Sequence, residues 1–274
     1  MHVAVLLAGV ADPKKPLPTP ASGDWRDLPA ATALAYKLSP FDEAALEIGL
    51  KLRDQGAAAS ITVLVTDGVR DLALMRAVAA LKPDRMVGLC PPASQRGNPA
   101  WLAHHAADLL REGGQEPGLI LIGREHGDLD DGMTPPYLAE AWQLPYAHLA
   151  LQVQADPEGG WTLLRSRTGQ DETLHLPAPA LASISNDKSN RLRHPLMKNV
   201  LQAKQQKFDI VEPAPDVAAT ASVLADAGPA QTSARGSQAC RMLTGTVEEQ
   251  AAALAAYLRA PNHQTIPSGA TQHV

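Results

Sequence analysis

The sequence is poor in cysteine and carries no excess of positive charge, and each shortage argues against a class of protein. Two cysteines occur among 274 residues, Cys90 and Cys240, with no CxxC pair and no metal-ligand spacing. We therefore expect neither a disulfide scaffold nor a metal site, and we predict a protein of the reducing cytoplasm. The formal net charge of −5 argues against a general nucleic-acid-binding protein.

Long hydrophobic runs are also missing. A membrane-spanning helix needs about 18 or more apolar residues in succession, and no segment of this sequence approaches that length. The N-terminal run MHVAVLLAGVADP is shorter and lacks the basic residues that begin a targeting segment. We therefore expect a protein that is not inserted into a membrane, with this first run forming a strand.

What the sequence does contain is an alternation of apolar strands and amphipathic helices. One helix is clearly marked, because Ser39 is a cap residue, Pro40 lies in the first turn and Gly56 is a stop signal. The predicted strands are 2–8, 61–65, 86–89 and 119–122, and the other predicted helices are 71–81, 99–112 and 136–142. This alternation is typical of a doubly wound α/β fold, a mostly parallel sheet with helices on both faces.

The second half of the chain follows a different pattern. An antiparallel meander is predicted from three strands separated by turns, 147–153, 161–166 and 172–176. Another apolar strand is predicted at 180–184.

The C-terminal part shows neither the alternation of strands and helices nor the meander pattern. Residues 212–238 are rich in Pro, Ala, Ser and Asp and are predicted to form a linker or surface arm, with a helix at 246–258. We therefore expect an α/β domain over 1–210 and a C-terminal arm over 211–274.

The motifs of common catalytic and nucleotide-binding sites are absent. The sequence has no G-x-G-x-x-G after its first strand, no G-x-x-x-x-G-K-[ST], no G-x-S-x-G and no H-E-x-x-H. His104 and His105 are adjacent on a predicted helix, so they point in different directions and are expected to be solvated. Glu43 and Glu47 lie four residues apart on the capped helix and are expected to form a solvated face. No nucleophile, base and acid can be combined, so no catalytic residue is predicted.

An acidic loop, GREHGDLDDGMT at 123–134, follows a predicted strand. In an open parallel sheet, ligands bind outside the carboxyl ends of the strands. One interpretation is that Asp128, Asp130 and Asp131 bind a ribose hydroxyl or a cation that accompanies phosphates. The other is that Asp130 or Asp131 caps the following helix and complements its dipole. His126 in the same loop is expected to be exposed unless it contacts a ligand.

The segment 179–209 combines positive charge with a central apolar tip, Pro-Leu-Met at 195–197. Its basic residues are Lys188, Arg191, Arg193, Lys198, Lys204 and Lys207. An apolar anchor with a charged rim is typical of a surface that binds a partner transiently. Alternatively, Leu196, Val200 and Leu201 bury one face of a helix against the core. The segment by itself favours neither interpretation.

Four segments in the same order resemble the β subunits of electron transfer flavoproteins. SPFDEAALE at 39–47 resembles N-P-F-D-E-x-A-x-E, and RAVAALKPDR at 76–85 resembles R-x-x-L-A-M-G-A-D-R. The acidic loop at 123–134 resembles G-K-Q-x-x-D-D-D-x-N-Q-T-G, and NRLRHPLMKNVLQAK at 190–204 resembles N-x-P-R-x-x-x-L-P-N-I-M-K-A-K. The resemblance covers residues 1–210.

The resemblance implies one half of a heterodimer that carries electrons. A larger α subunit would hold most of the FAD, and the pair would pass electrons from an acyl-CoA or N-methyl-amine flavoprotein dehydrogenase to a membrane quinone oxidoreductase. The recognition loop for the dehydrogenase maps onto Arg193, His194, Pro195, Leu196, Met197, Lys198 and Asn199. Met197 takes the anchoring position, so the resemblance favours the docking interpretation.

In most members of that family the β subunit also binds AMP, or a second FAD in electron-bifurcating members. The resemblance maps this site onto Leu6, Ala8, Ser39, Thr66, Gly68, Asp128, Asp130 and Thr134. The sequence departs from the pattern at Leu129, Gly132, Met133 and Pro135, and Ala8-Gly9 replaces an expected Lys-Arg pair. Proline removes a backbone N–H of the kind that helix starts offer to phosphate. We therefore expect nucleotide binding to be weakened, altered or absent, and we do not expect bifurcation.

The leading hypothesis is an electron-carrier subunit with no catalytic residues of its own. The alternative is a stand-alone adenine-nucleotide-binding sensor of the same fold. A third class, an ATP-using ligase or hydrolase, would need a phosphate-binding glycine loop that the sequence lacks.

Overall fold

The computed structural model of the chain describes residues 1–15, 34–92, 95–111, 114, 116–213 and 242–259. The chain divides into two compact units, Met1–Asp226 and Ala227–Val274. The expected domain boundary at residue 210 stays a prediction. Most of the expected linker, 212–238, lies outside the described residues.

The described strands and helices follow the alternation predicted from the sequence. The strands are β1 (His2–Ala11), β2 (Tyr36–Leu38), β3 (Ser60–Thr66), β4 (Arg85–Leu89), β5 (Leu119–Gly123), β6 (Tyr146–Ala150), β7 (Gln152–Ala155), β8 (Trp161–Arg167), β9 (Gln170–Leu176), β10 (Ala180–Ile184) and β11 (Asp209–Val211). The helices are α1 (Pro40–Asp54), α2 (Leu72–Ala79), α3 (Pro99–Leu110), α4 (Thr134–Ala141), α5 (Met197–Gln205) and α6 (Val247–Arg259).

A mostly parallel sheet forms the centre of the first unit. Its strand order is β11-β4-β3-β1-β5-β10-β6, and every neighbouring pair along that order is parallel. The short strand β2 pairs antiparallel with the end of β1. The predicted doubly wound α/β class is therefore confirmed.

Helix α1 begins and ends where the sequence predicts. The Ser39 hydroxyl accepts a hydrogen bond from the backbone N–H of Asp42 at 3.1 Å, and Pro40 is the first helical residue. Beyond the last turn, Gly56 adopts φ +76°, a conformation that glycine reaches without steric cost.

Helices cover both faces of the sheet, and β1 divides its side chains between them. Val3, Val5 and Leu7 are buried in one core with apolar residues of α1 and α2. Ala4 and Leu6 are buried in a second core with residues of α3 and α4. Because successive side chains of a strand point to opposite faces, an apolar run without alternation produces these two cores.

The meander differs from its prediction at its first strand. The predicted strand 147–153 is wrong, because Leu149 adopts φ +59° and the chain is interrupted at Leu151. The preceding residues form β6, which pairs parallel with β10, and the hydroxyl of Ser183 accepts the Leu149 N–H at 3.0 Å. The following residues form β7, and only β7, β8 and β9 make the antiparallel sheet.

Two short strands were not predicted. Strand β2 pairs with Gly9–Ala11 of β1. Strand β11 pairs with Val87–Leu89 at the far edge. Each contains three residues, which is too short for a side-chain period to show in the sequence.

The winding of the chain determines where a ligand crevice lies. From β1 the chain passes outward through β3 and β4, and then returns to place β5 on the other side of β1. Ligands in open α/β sheets bind at such a reversal, outside the carboxyl ends of the strands. The segments at this position follow β1, β3 and β5.

Candidate functional site

A buried carboxyl group joins the carboxyl ends of β1 and β5. Asp42 is fully buried, and its Oδ2 accepts a hydrogen bond from the Ala8 N–H at 3.3 Å. Its Oδ1 lies against Gly123, where an added Cβ would come within 2.7 Å of it. Burial raises the pKa of Asp42 to about 8, although hydrogen bonds from Ala8 and Ser39 act in the opposite direction. The group is therefore mostly protonated at neutral pH and gives the crevice little charge.

A buried histidine lies at the end of β3. The ring Nε2 of His126 is 2.8 Å from the Thr66 hydroxyl oxygen, and that hydroxyl also donates to the Leu7 carbonyl at 3.4 Å. Burial lowers the pKa of His126 to about 4, so its ring is neutral at pH 7. The expectation of an exposed histidine is wrong, because the loop folds this ring against the sheet.

The carboxylates of the acidic loop accept hydrogen bonds from backbone N–H groups of the chain itself. Oδ1 of Asp130 accepts the N–H groups of Gly132, Met133 and Thr134 at 3.0, 3.0 and 3.1 Å, and Oδ2 accepts the His126 N–H at 2.8 Å. Asp128 accepts the Ala11 N–H at 2.8 Å and ties the loop to β1. Asp130 therefore accepts N–H groups just before α4 and at its first residue, as the capping interpretation expects. Asp131 is exposed.

An ion pair closes the same edge beyond β3. The Arg96 Nε lies 2.9 Å from Asp67 Oδ1, and both side chains are largely buried. Gly68 follows with φ +72°, and an added Cβ there would lie 2.7 Å from Cγ of Tyr36. The ring of Tyr36 thus covers the turn that follows β3.

Two residues of the predicted nucleotide site, Thr66 and Thr134, line a small cavity at the crevice, and the placement of the other six as nucleotide ligands stays a prediction. The cavity there has a volume of about 20 Å³ and is lined by Thr66, Asp67, Gln95, His126, Thr134 and neighbouring residues. Ligand pockets usually measure about 300–1,000 Å³, and about 10–15 Å³ accommodates one water molecule. This cavity therefore has room for water but not for AMP or FAD.

A larger cavity lies at the opposite edge of the sheet. It measures about 260 Å³ and is lined by residues near the end of α3 and the start of β5, among them Leu110, Ile120, Trp142 and Leu144. Because it lies at the amino ends of β5 and β10, it is separate from the crevice.

The predicted recognition loop is attached firmly to the core at one end. Glu47 is buried, and its carboxylate accepts the Arg193 backbone N–H at 3.1 Å and the guanidinium at 3.0–3.2 Å. Arg193 also pairs with Asp54, and these hydrogen bonds raise the pKa of its guanidinium and lower the pKa of Asp54. The prediction that Glu47 belongs to a solvated face is wrong, because Arg193 from the loop covers it.

Beyond this anchor the loop becomes exposed. Leu196 and Met197 have 62% and 73% of their surface exposed, and Leu201, one turn later on α5, has 55% exposed. Their apolar surface lies beside Lys198, which is also exposed. Val200 instead packs against Ala79, Ala80 and Ala203. The core-burial interpretation is therefore wrong for Leu196 and Leu201, and it describes Val200.

Comparison with known protein families identifies the family to which this chain belongs. The family model named "Electron transfer flavoprotein domain" matches residues 30–216. The chain belongs to this electron transfer flavoprotein family. The rice (Oryza sativa subsp. japonica) protein "Electron transfer flavoprotein subunit beta, mitochondrial" is 28% identical over 184 residues, which are 66% of this chain and 71% of the relative.

Bacterial relatives agree with this assignment to the electron transfer flavoprotein family. "Electron transfer flavoprotein subunit beta" of Bradyrhizobium diazoefficiens is 26% identical over 196 residues, 70% of this chain and 76% of the relative. The protein of the same name from Syntrophomonas wolfei is 25% identical over 169 residues, 62% of this chain and 65% of the relative. The resemblance to β subunits is thereby confirmed, and the electron transfer flavoprotein family is one of electron-transfer proteins and not of classical enzymes.

Several residues that shape the electron transfer flavoprotein site carried no signal in the sequence. Asp67 and Arg96 lie 29 residues apart in two loops, and Glu47 and Arg193 lie 146 residues apart. No local motif links either pair. His105, expected to be solvated, is half-buried with its ring centroid 4.3 Å from that of Trp101.

Proposed function

We propose that this chain is the β subunit of a two-chain electron carrier. It pairs with a larger α subunit that holds most of the FAD, and this flavin supplies the redox chemistry. The pair accepts electrons from an acyl-CoA or N-methyl-amine flavoprotein dehydrogenase and delivers them to a membrane quinone oxidoreductase. The observation that carries the proposal is the exposed apolar tip, Leu196 and Met197, held by the buried Arg193–Glu47 ion pair.

The tip has the properties of a docking anchor. Two large apolar side chains that remain exposed lose contact with water only when a partner covers them, and burying one contributes about 1.5–3 kcal/mol. The segment before the tip is fixed, because Arg193 binds Glu47 through both its backbone and its guanidinium. A fixed anchor binds with a smaller entropy cost than a mobile one, which favours recognition by a small contact.

The charge around the tip favours an acidic partner. The tip is flanked in the sequence by Lys188, Arg191, Lys198, Lys204 and Lys207, although the whole chain has a net charge of −5. Local positive charge accelerates encounter with an acidic surface, and this acceleration decreases with salt. We therefore expect electron uptake to slow as ionic strength rises.

The second unit supports pairing with another chain. No residue of α6 is buried, and Val247, Leu254 and Leu258 are 77%, 48% and 64% exposed. Their spacing of seven and four residues places them on one face of the helix. A lone helix of about this length is marginal in water, so contact with a partner would stabilise it. The α subunit is the partner that the proposal supplies.

The alternative function, a stand-alone nucleotide sensor, receives no support from the described crevice, whose cavity of about 20 Å³ is too small for a nucleotide. Among the described helices, none has the length and apolar character needed to cross a bilayer. We propose that the chain acts in the cytoplasm and that its complex meets the membrane through the quinone oxidoreductase.

The docking role is tested by kinetics of the α–β complex with its dehydrogenase. Met197→Ala and Leu196→Ala are each expected to lower kcat/KM for the dehydrogenase about tenfold, as loss of an interface anchor worth more than 1 kcal/mol implies. Flavin content is expected to be unchanged. Leu72→Ala, at a leucine 49% exposed at the start of α2, is the matched control and should leave kcat/KM unchanged. Equal kinetics for all four proteins would refute the docking role.

A further inference from the structure

We infer that the chain's own side chains occupy the crevice at the carboxyl edge of the sheet, so that this β chain takes neither AMP nor a second FAD. The crevice consists of the ends of β1, β3 and β5 with the loops that follow them. The inference concerns a site separate from the flavin of the proposed complex, and it stands on hydrogen bonds, sterics and charge in the described residues.

The phosphate-binding capacity of the crevice is already used. Helix N-termini bind phosphate through free backbone N–H groups. At the start of α4, one oxygen of Asp130 accepts the N–H groups of Gly132, Met133 and Thr134. The next two residues, Pro135 and Pro136, have no N–H to offer. The carboxylate therefore takes the donors that a phosphate would need.

The other helices at this edge are capped in the same way. Ser39 accepts the Asp42 N–H at the start of α1. Asn98 accepts the N–H groups of Ala100 and Trp101 at the start of α3, at 3.0 and 3.3 Å. Side-chain oxygens of the chain thus satisfy each of these helix starts, and a bound anion would have to displace them.

The loop after β5 packs closely against the ends of β1 and β3. A Cβ added at Gly127 would come within 3.4 Å of the Ala8 Cβ and 3.3 Å of Asp67 Oδ2. Asp128 fastens the same loop to Ala11. The Asp67–Arg96 ion pair lies beside it, so the available guanidinium is already neutralised by a carboxylate.

The charge of the crevice also opposes a nucleotide. Asp67, Asp128 and Asp130 are carboxylates of the crevice, and the Arg96 guanidinium there is paired with Asp67. A phosphate brought beside Asp128 and Asp130 would meet charge of its own sign, which disfavours binding. Hydrogen bonding, space and charge therefore lead to the same conclusion.

The decisive experiment analyses the purified α–β complex after denaturation, by chromatography and mass spectrometry of the released small molecules. The expected result is flavin without stoichiometric AMP and without a second FAD per pair. One AMP or two FAD per pair would overturn the inference. Absence of flavin would instead contradict the proposed function and leave this inference standing, so the two failures are distinguishable.

Variants separate a self-occupied crevice from a nucleotide site that lost its ligand during purification. Equilibrium dialysis of the complex against AMP compares wild type, Asp130→Ala and the exposed neighbour control Asp131→Ala. We expect Asp130→Ala to bind AMP at least about tenfold more tightly than wild type, because three N–H groups become free, and Asp131→Ala to match wild type. Saturable binding by wild type that Asp130→Ala weakens would identify Asp130 as a nucleotide ligand and overturn the inference. Asp128→Ala, which removes a carboxylate of the crevice and frees the Ala11 N–H, replaces Asp130→Ala if that variant does not fold, and the same tighter binding of AMP is expected.

Discussion

Asp42 and His126 are buried ionisable groups whose pKa values are shifted in opposite directions. The two shifts together predict an unusual pH dependence of the free energy of unfolding. The Asp42 pKa rises from 3.8 to about 8, and the His126 pKa falls from 6.5 to about 4. Burial disfavours the charged form of each group, so both are neutral in the folded chain at neutral pH.

The two shifts have opposite effects on the free energy of unfolding. Between pH 3.8 and 8 the folded state holds the Asp42 proton more tightly than the unfolded state does. Its contribution is complete below pH 3.8 and decreases as pH rises, by up to about 1.4 kcal/mol per pH unit. His126 contributes fully above pH 6.5, and its contribution is lost as pH falls toward 4, with a similar slope of opposite sign.

In wild type the two contributions to the slope of the unfolding free energy against pH cancel between about pH 4 and 6.5. Between pH 6.5 and 8 only the contribution of Asp42 remains. Asp42→Asn removes the Asp42 contribution, because the amide does not titrate. The variant should therefore gain about 2 kcal/mol of stability from pH 5 to 6.5, where wild type gains little from these two groups. From pH 6.5 to 8 wild type should lose up to about 2 kcal/mol and the variant should not.

The measurement is urea unfolding of the chain at half-unit intervals from pH 5 to 8, followed by tryptophan fluorescence. The double variant Asp42→Asn/His126→Gln should show neither slope. Asp131→Asn, at an exposed carboxylate, is the control for removing one acidic group. Parallel pH profiles for wild type and Asp42→Asn would show that Asp42 titrates normally and would refute the reasoning.

Two further predictions concern stability at neutral pH. Arg193→Ala should lower the free energy of unfolding by about 2–3 kcal/mol, because it leaves the Glu47 carboxylate buried without its guanidinium, whereas Asp54→Ala, at the exposed partner, should cost less than about 1 kcal/mol. Urea unfolding measures both, and equal costs would contradict the importance of the Glu47 contact. Gly68→Ala should lower the free energy of unfolding by more than about 2 kcal/mol, because the residue has a positive φ and the new Cβ would also clash with the ring of Tyr36. Gly56→Ala also has a positive φ but meets no neighbouring atom, so it should lower the free energy of unfolding by about 1 kcal/mol. Thermal melting compares the two glycine variants, and an equal loss would show that the ring moves aside.

The sequence is sufficient for the regular parts of this fold because their signals are local. Cap, first-turn proline and stop residue of α1 lie within 18 residues, from Ser39 to Gly56, and they mark both ends of the helix. The buried strands are apolar runs bounded by turn residues. The left-handed Leu149 within β6 has no such signal, because its N–H is accepted by the hydroxyl of Ser183, a residue distant in sequence on β10.

The site was predictable in position but not in its contacts. The expected residues of β1, β3 and β5 do lie together, because parallel strands align their carboxyl ends. What fills the space between them depends on pairs that are distant in sequence, such as Asp67 with Arg96. A pattern read along the chain shows that Asp130 precedes a helix, but not that its carboxylate accepts the N–H groups of Gly132, Met133 and Thr134, which lead into that helix.

The most direct test of the proposed function is co-purification of the tagged chain with an electron transfer flavoprotein α subunit from the same organism. The expected product is a stable two-chain complex with the absorbance spectrum of bound flavin and one FAD per pair. That flavin should become reduced when an acyl-CoA or N-methyl-amine dehydrogenase and its substrate are added. A tagged chain that remains alone, or a colourless complex, would contradict the role of this protein as half of a flavin-containing electron carrier.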